Sequence, residues 1–229
     1  MRGKLIVIEG TDCSGKETQS KKLVERLNNE GQKAVRFTFP NYDSPTGKIV
    51  GGPFLGKEEI MESFFPEKAP NVNGKVSSLY YAADRFYNMP LIEEKLNEGY
   101  SVIVDRYTQS NMAFQGCKIS SLAERREMYH FIDTLEFELL HLPRPDAVFL
   151  LYMPLEAAKI LKKNRVNLDD NEKDDSYLKQ AEDAYLELAE LYGYNIIECT
   201  DKDKILSIEE IHEKVYEEFS KIAEKRKVR

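Results

Sequence analysis

Ile6-Val7-Ile8-Glu9-Gly10-Thr11-Asp12-Cys13-Ser14-Gly15-Lys16-Glu17-Thr18 decides how the rest of the chain is read: a short apolar run breaks at a glycine and resumes as a helix. Two glycines five apart, with a lysine directly after the second, let the loop turn its backbone N–H groups inward onto phosphate oxygens. The helix N-terminus adds its dipole, and Lys16 a mobile cation. Every residue from Gly10 to Thr18 is therefore a candidate phosphate contact. The pattern G-x-x-x-x-G-K ordinarily continues with the Ser or Thr whose hydroxyl meets Mg²⁺. Here Glu17 holds that position and the hydroxyl moves one residue on, to Thr18. An ordinary strand-turn-helix corner with a chance lysine is the alternative. The strand in front and the amphipathic Leu23, Val24 and Leu27 behind favour the phosphate cradle.

Working outward, 229 residues with 41% hydrophobic content can bury one large core, and a single domain over 1–229 is the expectation. The longest apolar run, Ala147 to Met153, is too short to span a bilayer, and no secretory leader pattern is visible at the N-terminus. A soluble, cytoplasmic protein with no membrane partner is expected. Cys13, Cys117 and Cys199 are odd in number, far apart and without histidines at metal-ligand spacing, so a disulfide frame or zinc site is not expected. The net charge of −7 argues against a general nucleic-acid binder, so any anion site must be built locally.

Strand and helix alternate along the chain. Strands are expected at Leu5–Glu9, Lys33–Phe39, Ser101–Asp105, Ala147–Met153 and Ile196–Cys199. Helices are expected from Lys16 to about Glu30, from Val76 to about Tyr87 with a short one up to Gly99, and from Ser120 through the face Met128, Ile132, Leu135 and Leu139. Two more are expected from Pro154 to about Arg165 and across Tyr177 to Leu191, with a last one carrying Ile208 to Ile222. The stretch Pro53–Asn73 gives no clear pattern. The polar run within about 163–176 reads as a short mobile lid. Buried β-branched strands without hairpin signals imply an α/β fold: a three-layer αβα arrangement with a five-stranded parallel sheet covered by helices on both faces. Ligands collect at the carboxyl ends of such strands, and here those ends carry Glu9-Gly10, Phe39-Pro40 and Asp105-Arg106. Arg106 can bind a phosphate bidentately; Asp105 can hold it, hold a magnesium-bound water, or simply cap the strand with a salt bridge.

With these residues in view, the chain resembles the thymidylate (dTMP) kinases, P-loop nucleoside monophosphate kinases. The likeness rests on Glu9-Gly10-Thr11-Asp12 with Gly15-Lys16 and Thr18-Gln19, on Phe39-Pro40, on Ala83-Asp84-Arg85, and on Asp105-Arg106-Tyr107 with Ser110-Asn111 and Phe114-Gln115. Leu135-Glu136-Phe137 followed by Leu142-Pro143-Arg144-Pro145-Asp146 extends it. The resemblance implies transfer of the ATP γ-phosphoryl group to dTMP with Mg²⁺, in a protein that is typically a homodimer.

Carried over residue by residue, it puts Lys16 on the transferring group and Arg106 on the acceptor phosphate. Asp12 would sit near the deoxyribose 3′-hydroxyl or the metal, with Asp105 and Thr18 as further metal contacts. Tyr81 would stack on thymine, Arg85 donate to a thymine carbonyl, Asn111 read the ring-nitrogen edge, Phe39 and Pro40 line the base pocket, and Phe114 crowd the sugar 2′ position. Tyr42 stands where many members have a phosphate-gripping arginine, and Arg165 is the lid's one arginine. A monophosphate offers an anionic oxygen as nucleophile, so no general base is needed, and His130, His141 and His212 lie beside no motif. The alternatives are a nucleotide-binding regulatory module without turnover and a kinase for another pyrimidine deoxynucleotide. A GTPase is disfavoured, for no N-K-x-D follows the fourth strand. The face Met128 to Leu139 is either a dimer contact or core packing.

Overall fold

The computed structural model describes residues 2–11, 13–57, 59–162, 175–202 and 204–224. Five parallel strands form one sheet: β1 (Leu5–Gly10), β2 (Ala34–Thr38), β3 (Ser101–Asp105), β4 (Ala147–Tyr152) and β5 (Asn195–Glu198), in the order β2-β3-β1-β4-β5. Val7 lies between Val104 and Val148, so β1 is central. Side chains alternate along it: Leu5 and Val7 enter one core layer and Ile6 and Ile8 the other, all essentially without exposure. Two buried faces account for the unbroken apolar runs of β1, β3 and β4.

One face is covered by α1 (Lys16–Asn29) and α8 (Ile208–Glu224). The other is covered by α3 (Gly74–Asn97), α4 (Thr108–Gly116), α5 (Leu122–Asp133) and α7 (Asp175–Tyr192). Between β2 and α3, α2 (Pro45–Ile49) runs into a wider turn of helix, Val50–Phe54, and a small third core joins Val50 and Phe54 to Ala69 and Val72. This supplies the organisation that Pro53–Asn73 did not reveal in sequence. The helix after β4 is α6 (Leu155–Lys162).

The expected parallel sheet is present, and several details differ. The two helices expected up to Gly99 are one, α3, which carries Pro90 in its interior. The buried helix α4 was not anticipated, because all but one of its nine residues are buried and it has no amphipathic period to read. Ser121 does cap α5, accepting from the Glu124 amide at 3.5 Å. A two-residue hairpin, β6 (Thr200–Asp201) with β7 (Lys204–Ile205), follows β5. Met128 and Ile132 are buried in the main core, which favours core packing for that face, and Leu139 alone of the four is well exposed. Residues 163–174 of the expected lid, including Arg165, lie outside the described residues, as do Asp12 and the basic tail. Among the described residues no helix is long and apolar enough to cross a membrane.

Candidate active site

A cleft of about 1080 Å³ opens at the carboxyl edge of the sheet. Gly10 and Thr11 line one end; Phe39, Pro40, Tyr42, Tyr81, Arg85, Arg106, Asn111 and Phe114 line the remainder. The start of the phosphate loop, Gly10 and Thr11, thus shares a cavity with the residues expected around the acceptor, while Lys16, Glu17 and Thr18 do not line it.

At the loop end, Gly15 takes φ +78° as the residue before α1, a conformation glycine adopts without strain. A Cβ on Gly10 would stand 2.4 Å from the Ser14 hydroxyl and 2.6 Å from the Leu151 carbonyl, so only glycine lets the loop close this tightly. Thr11 staples the loop to the end of β4, its hydroxyl donating to the Met153 carbonyl at 2.7 Å and accepting from the Met153 amide at 2.8 Å. Lys16 Nζ folds back onto the Gly10 and Thr11 carbonyls at 3.1 and 2.9 Å. Glu17 points to solvent and pairs with Lys21 one turn on at 2.6 Å, while Thr18 is exposed in the first turn of α1. Glu17 is thus an acidic first-turn residue favoured by the helix dipole.

The middle of the cleft is set by β3. Arg106 takes φ +64°, a left-handed conformation that costs a non-glycine residue about 1 kcal/mol or more. Its guanidinium carbon lies 5.6 Å above the Phe114 ring, and its Nη1 is 3.3 Å from the Ser110 hydroxyl. The fully buried Glu9 holds this turn. It accepts from the Tyr107 and Ser110 amides at 2.8 and 3.0 Å, from the Ser110 hydroxyl at 2.7 Å and from the Tyr185 hydroxyl at 3.0 Å. Burial opposes the Arg106 charge, yet Tyr185, Glu9, Asp105 and Tyr42 together outweigh it and the pKa is raised. Asp105 pairs with Arg36, whose Nη2 lies 2.6 Å away while its Nε donates to Ser20. The strand-capping salt bridge is thus made, with Arg36 as partner rather than Arg106.

At the far end two further buried carboxylates organise the walls. Asp84 accepts from the Asn41 amide at 2.8 Å, the Ser44 and Thr46 hydroxyls at 3.0 and 2.9 Å, and the Asn88 amide group at 2.9 Å, fixing the loop that carries Tyr42. Glu136, without exposure, takes a two-pronged pairing from Arg85 Nε and Nη2, the Thr108 hydroxyl at 2.8 Å and Asn111 Nδ2 at 2.9 Å. Burial works against the Arg85 charge too, and Glu136 more than restores it. Tyr81 meets Phe54 edge-on at 5.6 Å, and Phe39 is buried 6.2 Å from the Tyr107 ring. Sequence reasoning quoted Glu9, Asp84 and Glu136 in motifs and gave them no role. The available signal was a carboxylate inside an apolar run, as in Leu5–Gly10 and Leu135–Phe137, where a charge must find partners.

A family model described as Thymidylate kinase matches residues 8–215. The chain belongs to this family. A probable thymidylate kinase of Methanocaldococcus jannaschii is 35% identical over 210 residues, 92% of each chain. The human thymidylate kinase is 36% identical over 159 residues, 69% of this chain and 65% of its own length. The solved thymidylate kinase of Candida albicans superposes with a TM-score of 0.71 at 24% identity, covering 96% of this chain and 93% of that one, and so shares its fold. Membership makes this chain a phosphotransferase that phosphorylates dTMP, the family using ATP as phosphate donor.

Proposed function

We propose that this cleft, in a single kinase domain, moves the γ-phosphoryl group of ATP to the phosphate of dTMP with magnesium. The observation that supports this is the opening of the start of the glycine loop and of Arg106 onto one cavity. Lys16 Nζ touches the carbonyls of Gly10 and Thr11, which line the same cleft as Arg106. In this reading the amides of Gly10–Thr18 hold the ATP phosphates, Lys16 neutralises the transferring group, and Arg106 grips the acceptor phosphate beside Tyr42. Phe39 and Pro40 wall the base, Tyr81 stacks on it, Arg85 and Asn111 read its edge, and Phe114 fills the space under the sugar. The acceptor oxygen is already anionic, so the residues supply position and positive charge and need move no proton.

The described residues contain no cluster of three metal-binding side chains. Phosphate-bound Mg²⁺ asks for only one or two protein oxygens; the Asp105 carboxylate is already paired with Arg36 at 2.6 Å and neither it nor the exposed Thr18 hydroxyl lines the cleft, so these two residues do not fit that demand as they stand. A panel of dTMP, dUMP and dCMP in a coupled ADP assay, with and without magnesium, tests the reading. Fastest turnover with dTMP, lost on chelation, is expected; dTMP binding without dTDP at high enzyme concentration would overturn it.

A homodimer is part of the proposal, with its contact on α3 rather than α5. Leu79, Phe86, Tyr87 and Leu91 are each more than half exposed and recur along one face. Light scattering should return twice the chain mass of 26.5 kDa; a monomer would remove this assignment. The unbridged cysteines accord with a cytoplasmic setting.

A further inference from the structure

We infer that Glu136 is the positioning residue that decides which pyrimidine the cleft accepts, acting through Arg85 and Asn111. This rests on the reading above that those two side chains face the base.

The argument begins with Asn111, whose amide can present either its oxygen or its nitrogen to a ligand. Its Nδ2 lies 2.9 Å from Glu136 Oε1 and 3.2 Å from the Ser78 carbonyl. Both neighbours only accept hydrogen bonds, so the nitrogen must face them and the amide cannot turn over. The consequence is that Oδ1 is turned away from them, buried and without a partner among the described residues, on a side chain that lines the cleft. An unpaired buried acceptor is costly, and a donor brought by a ligand would relieve it. The same carboxylate binds Arg85 through Nε and Nη2, which fixes the guanidinium plane and leaves Nη1 outside that pairing. Glu136 thereby holds a donor and an acceptor in fixed order in the same cleft.

That order matches one class of base. Thymine presents a carbonyl oxygen at position 4 and an N–H at position 3; cytosine presents an amino group and a bare nitrogen there, the reverse at both places. Sites built to satisfy specific hydrogen bonds discriminate far better than apolar pockets do, because a mismatch leaves buried polar groups unpaired. Neither reading residue could enforce the order alone. Without an acceptor-only neighbour Asn111 could turn over, and without the fork Arg85 could swing. Thr108, which donates 2.8 Å to Glu136 Oε2, completes the four donors around this carboxylate.

Glu136→Gln tests this, because the new amide can donate to Asn111 and let it turn over. In the folded variant the KM for dTMP should rise about tenfold, and the dTMP-over-dCMP ratio of kcat/KM should fall by about a hundredfold or more, while the KM for ATP and kcat at saturating dTMP stay within about twofold. A role confined to stability would leave both the ratio and the dTMP KM unmoved, and that outcome overturns the proposal. So does an equal loss toward both nucleotides carried in kcat. Asn111→Ala separates this inference from the reading beneath it. If Asn111→Ala collapses the ratio while Glu136→Gln keeps it, the base-reading assignment stands and the role of Glu136 falls; if Asn111→Ala keeps it, the assignment itself falls. Should Glu136→Gln fail to fold, Thr108→Val removes one donor from the same carboxylate with little change of shape. It should raise the dTMP KM about threefold with the ATP KM unchanged, and an unaltered dTMP KM would refute the role of Glu136.

Discussion

The loop end of the cleft is built from backbone and from side chains that can move: Lys16 rests on two carbonyls, Glu17 and Thr18 face solvent, Gly10 permits the close approach and Gly15 the left-handed turn. The acceptor end is built from buried carboxylates, with Glu9, Asp84 and Glu136 each taking four donors. The contrast suits what each end must hold. A triphosphate offers many equivalent oxygens, so amides and one swinging ammonium suffice. A nucleobase must be told from near relatives, which demands donors and acceptors fixed before it arrives. The acceptor end therefore loses recognition when a single buried group changes, whereas side chains on the loop's outer face are tolerant.

Three substitutions sharpen this difference. The largest effect is expected for Arg106→Ala, which removes the acceptor-phosphate cation. By analogy with removed oxyanion donors it should cost about 3 kcal/mol, or a hundredfold or more in kcat/KM for dTMP by steady-state assay. A loss under about threefold would mean the phosphate is held elsewhere. Asp84→Asn comes next, putting an amide where four donors converge. Losing the charge-assisted bonds should cost about 2 kcal/mol of stability, seen as a Tm fall of about 4–8 °C by calorimetry, with a severalfold rise in dTMP KM as the Tyr42 loop loosens. An unchanged Tm would make the Asp84 network incidental. Smallest is Glu17→Ser, which restores the usual hydroxyl and removes only an exposed pair with Lys21. Stability should change by no more than about 0.5 kcal/mol in chemical denaturation, with kcat within about threefold. A large gain in activity would mean that Glu17 impairs phosphate or metal binding.

The difference between the two ends also explains what was legible in the sequence. The loop is local: glycines, lysine and the flanking strand and helix lie in one run, and the fold follows from apolar strands alternating with amphipathic helices. The acceptor end joins residues distant in sequence, such as Arg85 to Glu136 and Glu9 to Tyr185, so single positions could be matched but the wiring between them could not be read. The helix α4 escaped for a related reason. Ser110, Asn111 and Gln115 on it are polar yet buried, and they line the cleft, which no local pattern reveals. The long helix α3 hid its length behind Pro90, and its exposed apolar face was visible only once its packed face was known.

Calorimetric titration of dTMP into Lys16→Ala, in the absence of ATP, tests most directly whether the two ends are independently built. With the acceptor end set by its own carboxylates, dTMP should bind one site per chain with a Kd within about twofold of the unaltered protein, even as turnover falls by about a hundredfold. A Kd weakened tenfold or more by the loss of Lys16 would show that the acceptor end depends on the phosphate loop, and the division drawn between them would be wrong.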